Sequence, residues 1–169
     1  MIHYITGGER SGKSRYAQLE AEKNSQTPFY LATSRIWDKD FQKRVSRHQS
    51  DRDHRWTTIE EEKFLSKVDI SHKTVVLDCI TLWLTNWYAD HKSDLAACLE
   101  ACKKELDQLF LQAEDSHLII ISNELGMGLH ATTEAGRKFT ELQGWINQHI
   151  AQNADKATFM VSGLPLSLK

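Results

Sequence analysis

Short apolar runs alternate along this chain with longer stretches of helical periodicity. The first run, over 2–6, ends in a glycine-rich turn, and a helix is expected over 13–24. Residues 29–33 read as a second strand and 56–59 as a short extended piece. A third strand, Thr74-Val75-Val76-Leu77, is apolar on both faces, which suits a strand covered from both sides. A polar helix is expected over 38–54, and further helices over 82–89 and 94–114. The last of these sets Leu95, Cys98, Leu99, Cys102, Leu106, Leu109 and Phe110 on one stripe. Leu118 to Ile121 form another strand inside 117–122. A long helix over 133–154 should bury Ala135, Phe139, Leu142, Ile146 and Ile150, and the last strand covers 157–162. Strands that alternate with helices predict an α/β fold, a mostly parallel sheet flanked by helices.

Composition narrows the class. The 169 residues hold no repeat and no Pro/Gly-rich linker, and the only prolines are Pro28 and Pro165, so one domain over 1–169 is expected. A formal charge of −2 lacks the basic excess of general nucleic-acid binders. No apolar run reaches the roughly 20 residues of a membrane span, and no basic segment leads into an apolar one as in a secretory signal. Cys79, Cys98 and Cys102 are odd in number and form no CxxC pair, so the pattern suggests neither a disulfide framework nor a zinc ribbon. Cys98 and Cys102 read as two small apolar residues on one helix face. A cytoplasmic protein is the default expectation.

The chemistry begins at Gly7-Gly8-Glu9-Arg10-Ser11-Gly12-Lys13-Ser14, a full match to G-x-x-x-x-G-K-[ST] between a strand and a helix. Glycines let the backbone turn its N–H groups inward as an anion nest, and the helix N-terminus adds positive potential. Lys13 can reach the β- and γ-phosphates, and the Ser14 hydroxyl can ligate Mg²⁺. An acidic partner for that metal should end a nearby apolar strand. Asp78 is the first candidate and Glu124 the second. Ligands of open α/β sheets sit at the carboxyl ends of strands, so Ala32-Thr33-Ser34, Asp78 and Asn123-Glu124 should point to one site.

Arg44, His48 and Arg52 recur every four residues, with Arg47 and Arg55 nearby. Such a row is either a solvated basic face or a second polyphosphate clamp with a histidine inside it. Neighbouring guanidinium groups disfavour the protonated imidazole, and a neutral imidazole is a nucleophile. The other histidines, His3, His54, His72, His91, His117, His130 and His149, are scattered, and surface or boundary positions are expected for each.

Taken in order, Gly-Gly-Glu-Arg-Ser-Gly-Lys-Ser (7–14), Leu-Ala-Thr-Ser (31–34), Arg-Val-x-x-His (44–48), Trp-x-Thr-x-Glu (56–60), Leu-Asp-Cys-Ile-Thr-Leu-Trp-Leu-Thr-Asn (77–86), Ser-Asn-Glu-x-Gly-Met-Gly (122–128) and Gly-Leu-Pro-Leu (163–166) span almost the whole chain. Together they resemble the bifunctional adenosylcobinamide kinase/adenosylcobinamide-phosphate guanylyltransferases of cobalamin assembly. The resemblance implies a RecA-like P-loop NTPase fold, a homotrimer and two reactions. A nucleoside triphosphate, ATP or GTP, phosphorylates adenosylcobinamide. GTP then gives GMP to a histidine, and adenosylcobinamide phosphate takes it up as adenosylcobinamide-GDP. The family's histidine matches His48. Its nucleotide contacts map onto Gly7, Gly8, Glu9, Arg10, Ser11, Gly12, Lys13 and Ser14, onto Ala32, Thr33 and Ser34, onto Gln49, Ser50, Asp51 and Arg52, and onto Glu60 and Asp78. Glu60 could hold the guanine edge or the ribose.

The chain departs from the family pattern in three places. Leu129-His130-Ala131-Thr132-Thr133-Glu134 stands where hydrophobic-Val-Pro-Glu-Asn is usual. Trp145 replaces the arginine of Gly-Arg-x-Asn-Gln, and the proline usual after the motif glutamate is absent, with Glu61 and Glu62 present. Two other readings fit the P-loop. One is a kinase or nucleotidyltransferase with a single activity on another substrate. The other is a P-loop switch protein, although the Asn-Lys-x-Asp base-specificity motif of switches is missing.

Overall fold

The computed structural model describes residues 1–35, 53–91 and 94–169. The expected helix over 38–54 falls almost wholly outside them. Seven strands form one sheet in the order β3-β2-β4-β5-β1-β6-β7. They are β1 (Ile2–Gly7), β2 (Phe29–Ala32), β3 (Thr57–Glu60), β4 (Thr74–Asp78), β5 (His117–Ile121), β6 (Lys156–Val161) and β7 (Leu164–Ser167). All pairings are parallel except β6 with β7. The mostly parallel sheet flanked by helices is the architecture expected from the alternation of the pattern.

Two apolar layers sandwich the sheet. Helix α1 (Lys13–Asn24) buries Ala17 and Ala21 against Ile5, Val76, Ile119 and Ile121 on one face. On the other lie α2 (Ile80–Asp90), α3 (Leu95–Gln112) and α4 (Glu134–Asn153). Trp83, Leu84, Leu106, Leu109, Leu142, Ile146 and Ile150 close that layer over Tyr4, Leu31, Leu77, Leu118 and Ile120. Strands buried on both faces explain the continuous apolar runs. Cys98 and Cys102 are fully buried on the core face of α3, as small apolar residues would be. Side-chain caps set two helix starts: Asp94 accepts from the Ala97 N–H at 3.2 Å, and Thr133 from the Gly136 N–H at 3.1 Å.

Four expectations need correction. The strand over 157–162 is not the last: the chain turns at Ser162 and Gly163, both at positive φ, and returns as β7. Helix α2 starts at Ile80, ahead of the expected Leu82. Ala135 is exposed, because it sits in the first turn of α4, and its place on the core face is taken further along by Gln143 and Asn147. His3 is 1% exposed, since β1 is covered on both sides. Among the described residues no helix is long and apolar enough to cross a membrane.

Candidate active site

The P-loop leaves the carboxyl end of β1 in the middle of the sheet. Gly7 has φ 152°, and a Cβ there would stand 2.4 Å from the Met160 carbonyl oxygen, so the close passage of β6 admits only glycine. Gly12 has φ 98° and begins α1 with no side-chain cap and no acidic residue in the first turn. The free N–H groups of that turn are therefore left for an anion. Behind the loop lies the β6–β7 turn. Gly163 N–H donates to the Ser11 carbonyl at 3.0 Å, and the Gly163 Cα is 3.3 Å from where a Gly12 Cβ would stand.

Lys13 is only 7% exposed. Its Nζ donates to the carbonyls of Gly8 at 2.6 Å and Gly7 at 3.1 Å, which holds the ammonium over the loop. Burial lowers its pKa, against the opposing pull of Asp78 and Glu9. Glu9 and Arg10 are exposed at the loop's crest, with Arg10 at φ 55°.

Asp78 ends β4 as expected. Its Oδ2 accepts from Ser14 Oγ at 2.9 Å and from Tyr30 Oη at 2.8 Å. Two hard oxygen ligands, a hydroxyl and a carboxylate, meeting beside a phosphate-binding loop form a donor set suited to Mg²⁺. The register sets Ala32 between Glu60 and Asp78, so all three lie in one row across β3, β2 and β4. Thr33 is buried: its N–H donates to the Asp78 carbonyl and its hydroxyl to the Cys79 carbonyl at 2.8 Å. The Asn86 amide clamps this turn by donating to the carbonyls of Thr33 at 2.8 Å and Glu62 at 3.0 Å. Asn86 is fully buried, which accounts for a polar residue at the end of the 77–86 motif.

Glu124, the second acidic candidate, stands at the end of β5 next to β1. Its N–H donates to the Gly7 carbonyl at 3.2 Å. Its Oε1 accepts from Thr6 Oγ1 at 2.8 Å, Asn147 Nδ2 at 3.1 Å and Tyr4 Oη at 3.4 Å. A buried network supports it from α4: Ser122 Oγ and Gln143 Nε2 both donate to Asn147 Oδ1, at 2.7 and 2.9 Å. Glu124 is thus tied to the root of the P-loop and Asp78 to Ser14.

His48, Gln49, Ser50, Asp51 and Arg52, together with Arg44 and Arg47, lie outside the described residues. On the near side of that segment, Arg35 pairs with Glu62 and with Asp90. On the far side, the Trp56 indole N–H donates to Glu22 of α1 at 3.1 Å, and Arg55 pairs with Asp53 at 2.8 Å. Sequence reasoning passed over Thr6, Tyr30, Gln143 and Asn147. Only Asn147 carried a signal, as part of the Gly144-to-Gln148 stretch.

Fold and loop together define a P-loop nucleotide-binding protein. A sequence profile described as "Cobinamide kinase / cobinamide phosphate guanyltransferase" matches residues 3–168. The chain belongs to that family. It is 35% identical to the bifunctional adenosylcobalamin biosynthesis protein CobP of Pseudomonas aeruginosa, over 100% of this chain and 98% of that protein. Two proteins of the same description named CobU, from Escherichia coli and Salmonella typhimurium, are 31% and 30% identical, each with both chains fully covered. Among solved structures, the flagellar accessory protein FlaH of Methanocaldococcus jannaschii has a TM-score of 0.48 and 14% identity, covering 99% of this chain and 77% of that one.

Proposed function

We propose that this chain is a bifunctional enzyme acting on adenosylcobinamide. In the first reaction the substrate hydroxyl attacks the γ-phosphorus of a nucleoside triphosphate bound at Gly7–Ser14, and the nucleoside diphosphate leaves. In the second an uncharged His48 attacks the α-phosphorus of GTP, pyrophosphate leaves, and GMP is held through a P–N bond. The phosphate oxygen of adenosylcobinamide phosphate then displaces the imidazole and takes the GMP. Splitting the transfer at a histidine replaces one difficult displacement with two easier ones.

Full-length membership in the family, with the P-loop intact inside it, carries this reading. Lys13 and the N–H groups of the loop and of α1 neutralise and orient the phosphates. Ser14 and Asp78 would hold Mg²⁺, which supplies further charge neutralisation on the triphosphate. Ala32, Thr33, Ser34, Glu60 and Gln49 to Arg52 are assigned to nucleotide contact, with Glu60 at the guanine edge or the ribose. Arg44, Arg47 and Arg52 keep the His48 ring uncharged and screen the triphosphate. A single catalytic domain in a cytoplasmic homotrimer completes the reading. Light scattering should then return three times the 19.4 kDa protomer.

Incubation with α-labelled GTP, followed by denaturation, tests the assignment. The expected result is an acid-labile, alkali-stable label on the chain, lost in His48→Ala while phosphorylation of adenosylcobinamide continues. An unlabelled wild-type chain under conditions of active phosphorylation removes the transferase half. A chain that hydrolyses nucleotide slowly and modifies no acceptor is the switch protein instead.

A further inference from the structure

We propose that Glu124 is the base of the kinase half-reaction, taking the proton of the acceptor hydroxyl as that oxygen bonds to the γ-phosphorus. The proposal rests on the kinase activity proposed above. Atoms balance simply: the O–P bond forms, the bond from the γ-phosphorus to the β–γ bridging oxygen breaks, the nucleoside diphosphate leaves, and the hydroxyl proton passes to the carboxylate and on to water.

Position comes first. Ligands of open parallel sheets gather at the strands' carboxyl ends, and Glu124 is the acidic side chain at the end of β5, the strand between the P-loop strand and the Asp78 strand. Its backbone N–H bonds to Gly7, the first residue of the loop, at 3.2 Å.

Orientation comes second. All three donors at this carboxylate, from Thr6, Tyr4 and Asn147, fall on Oε1. Oε2 has no hydrogen-bond partner among the described residues. Three donors from two elements fix one oxygen of a half-buried carboxylate and leave the other to act, which is how a reacting group is preorganised. Asp78, by contrast, is engaged with Ser14 in the pair assigned to the metal. Beyond Glu124 the chain is open: Met127 is 74% and Leu129 100% exposed, so a large acceptor can approach from this side. Phosphoryl transfer is loose, so the carboxylate is asked only to take a proton that leaves late.

Glu124→Gln is the test, since the amide oxygen still accepts from Thr6 and Asn147 while the basic oxygen is gone. With adenosylcobinamide and Mg²⁺-nucleotide, kcat for phosphorylation should fall by about 100-fold or more, with the nucleotide KM moving less than about threefold. Labelling of the chain by α-labelled GTP, which removes no acceptor proton, should fall much less than phosphorylation does. Glu124→Ala should be slow as well, and added formate should restore its turnover at least about tenfold; a purely structural role would not respond. Phosphorylation within about threefold of wild type in Glu124→Gln, or an equal loss of both half-reactions with a raised nucleotide KM and no formate rescue, overturns the proposal. A wild-type chain that labels but never phosphorylates the acceptor instead overturns the kinase reading beneath it.

Discussion

Asn147→Ala should destabilise the protein by about 2–4 kcal/mol, and the figure follows from which partners lose their only bond. Asn147 is 6% exposed. Its amide donates to the Asn123 carbonyl at 3.0 Å and to Glu124 Oε1 at 3.1 Å, and its oxygen accepts from Ser122 Oγ at 2.7 Å and Gln143 Nε2 at 2.9 Å. Two of those four partners keep a bond after truncation: Gln143 Nε2 still reaches Ser122 Oγ at 2.9 Å, and Glu124 Oε1 still accepts from Thr6 at 2.8 Å. The Ser122 hydroxyl hydrogen and the Asn123 carbonyl do not. The Ser122 hydroxyl is buried and the Asn123 carbonyl half-buried. An orphan costs about 1–3 kcal/mol, the half-buried one toward the low end, and alanine returns roughly 0.5 kcal/mol of helix propensity. Water entering the vacated volume favours the lower half of the range. In a chain of this size the melting temperature should drop by roughly 5–12 °C, read by calorimetry and checked by urea titration. Asn147→Asp sharpens the test, because it sets a second carboxylate against Glu124. It should be less stable than Asn147→Ala at neutral pH, and the gap should narrow as acid protonates one of the pair. A loss below about 1 kcal/mol in Asn147→Ala would mean that the network is solvated and not sealed, and the argument would fail.

Gly163→Val forces a β-branched residue into a turn at φ 80° that donates to Ser11 of the P-loop at 3.0 Å. The strain, about 1–2 kcal/mol, should weaken Mg²⁺-nucleotide binding by roughly 5–30-fold in calorimetric titration; a loss of stability with affinity unchanged would show the turn and the loop to be independent. Acid should unfold the protein partly through His3, whose pKa is lowered to about 4 mainly by burial. Protons then bind the unfolded chain first. Stability is full above the unfolded value of about 6.5 and is lost progressively as pH falls to about 4, by up to about 3 kcal/mol. His3→Gln should flatten that window in pH-dependent urea unfolding, and an identical slope in both proteins would refute the assignment. His117, also lowered chiefly by burial, acts in the same direction and leaves a residual slope.

What could be read from residues alone divides along a physical line. The P-loop was legible because phosphate chemistry dictates residue type and spacing at once: Gly7 where β6 leaves 2.4 Å, Gly12 at positive φ, Lys13 and Ser14 at the head of a helix. The place of Asp78 at the end of β4 was legible because an apolar run closed by an acid marks a strand's carboxyl end. The same pattern ahead of Glu124 could not say which acid meets Ser14; the 2.9 Å bond does. The misses share a different cause. Gln143 and Asn147 look like the solvated face of α4, yet they are buried beside Leu142 and Ile146, and only their partners Ser122, Asn123 and Glu124, just past β5, make that tolerable. His3 looked like a boundary residue for the same reason, and its bond to Thr158 Oγ1 at 2.9 Å comes from a strand 155 positions away. β7 was hidden by Pro165, which argues against a strand except at a sheet edge, and β7 is that edge. A motif far from the loop thereby gains a cause. Gly-Leu-Pro-Leu at 163–166 builds the hairpin whose turn backs Ser11 and Gly12, so the chain's last motif and its first are packed into one structural unit.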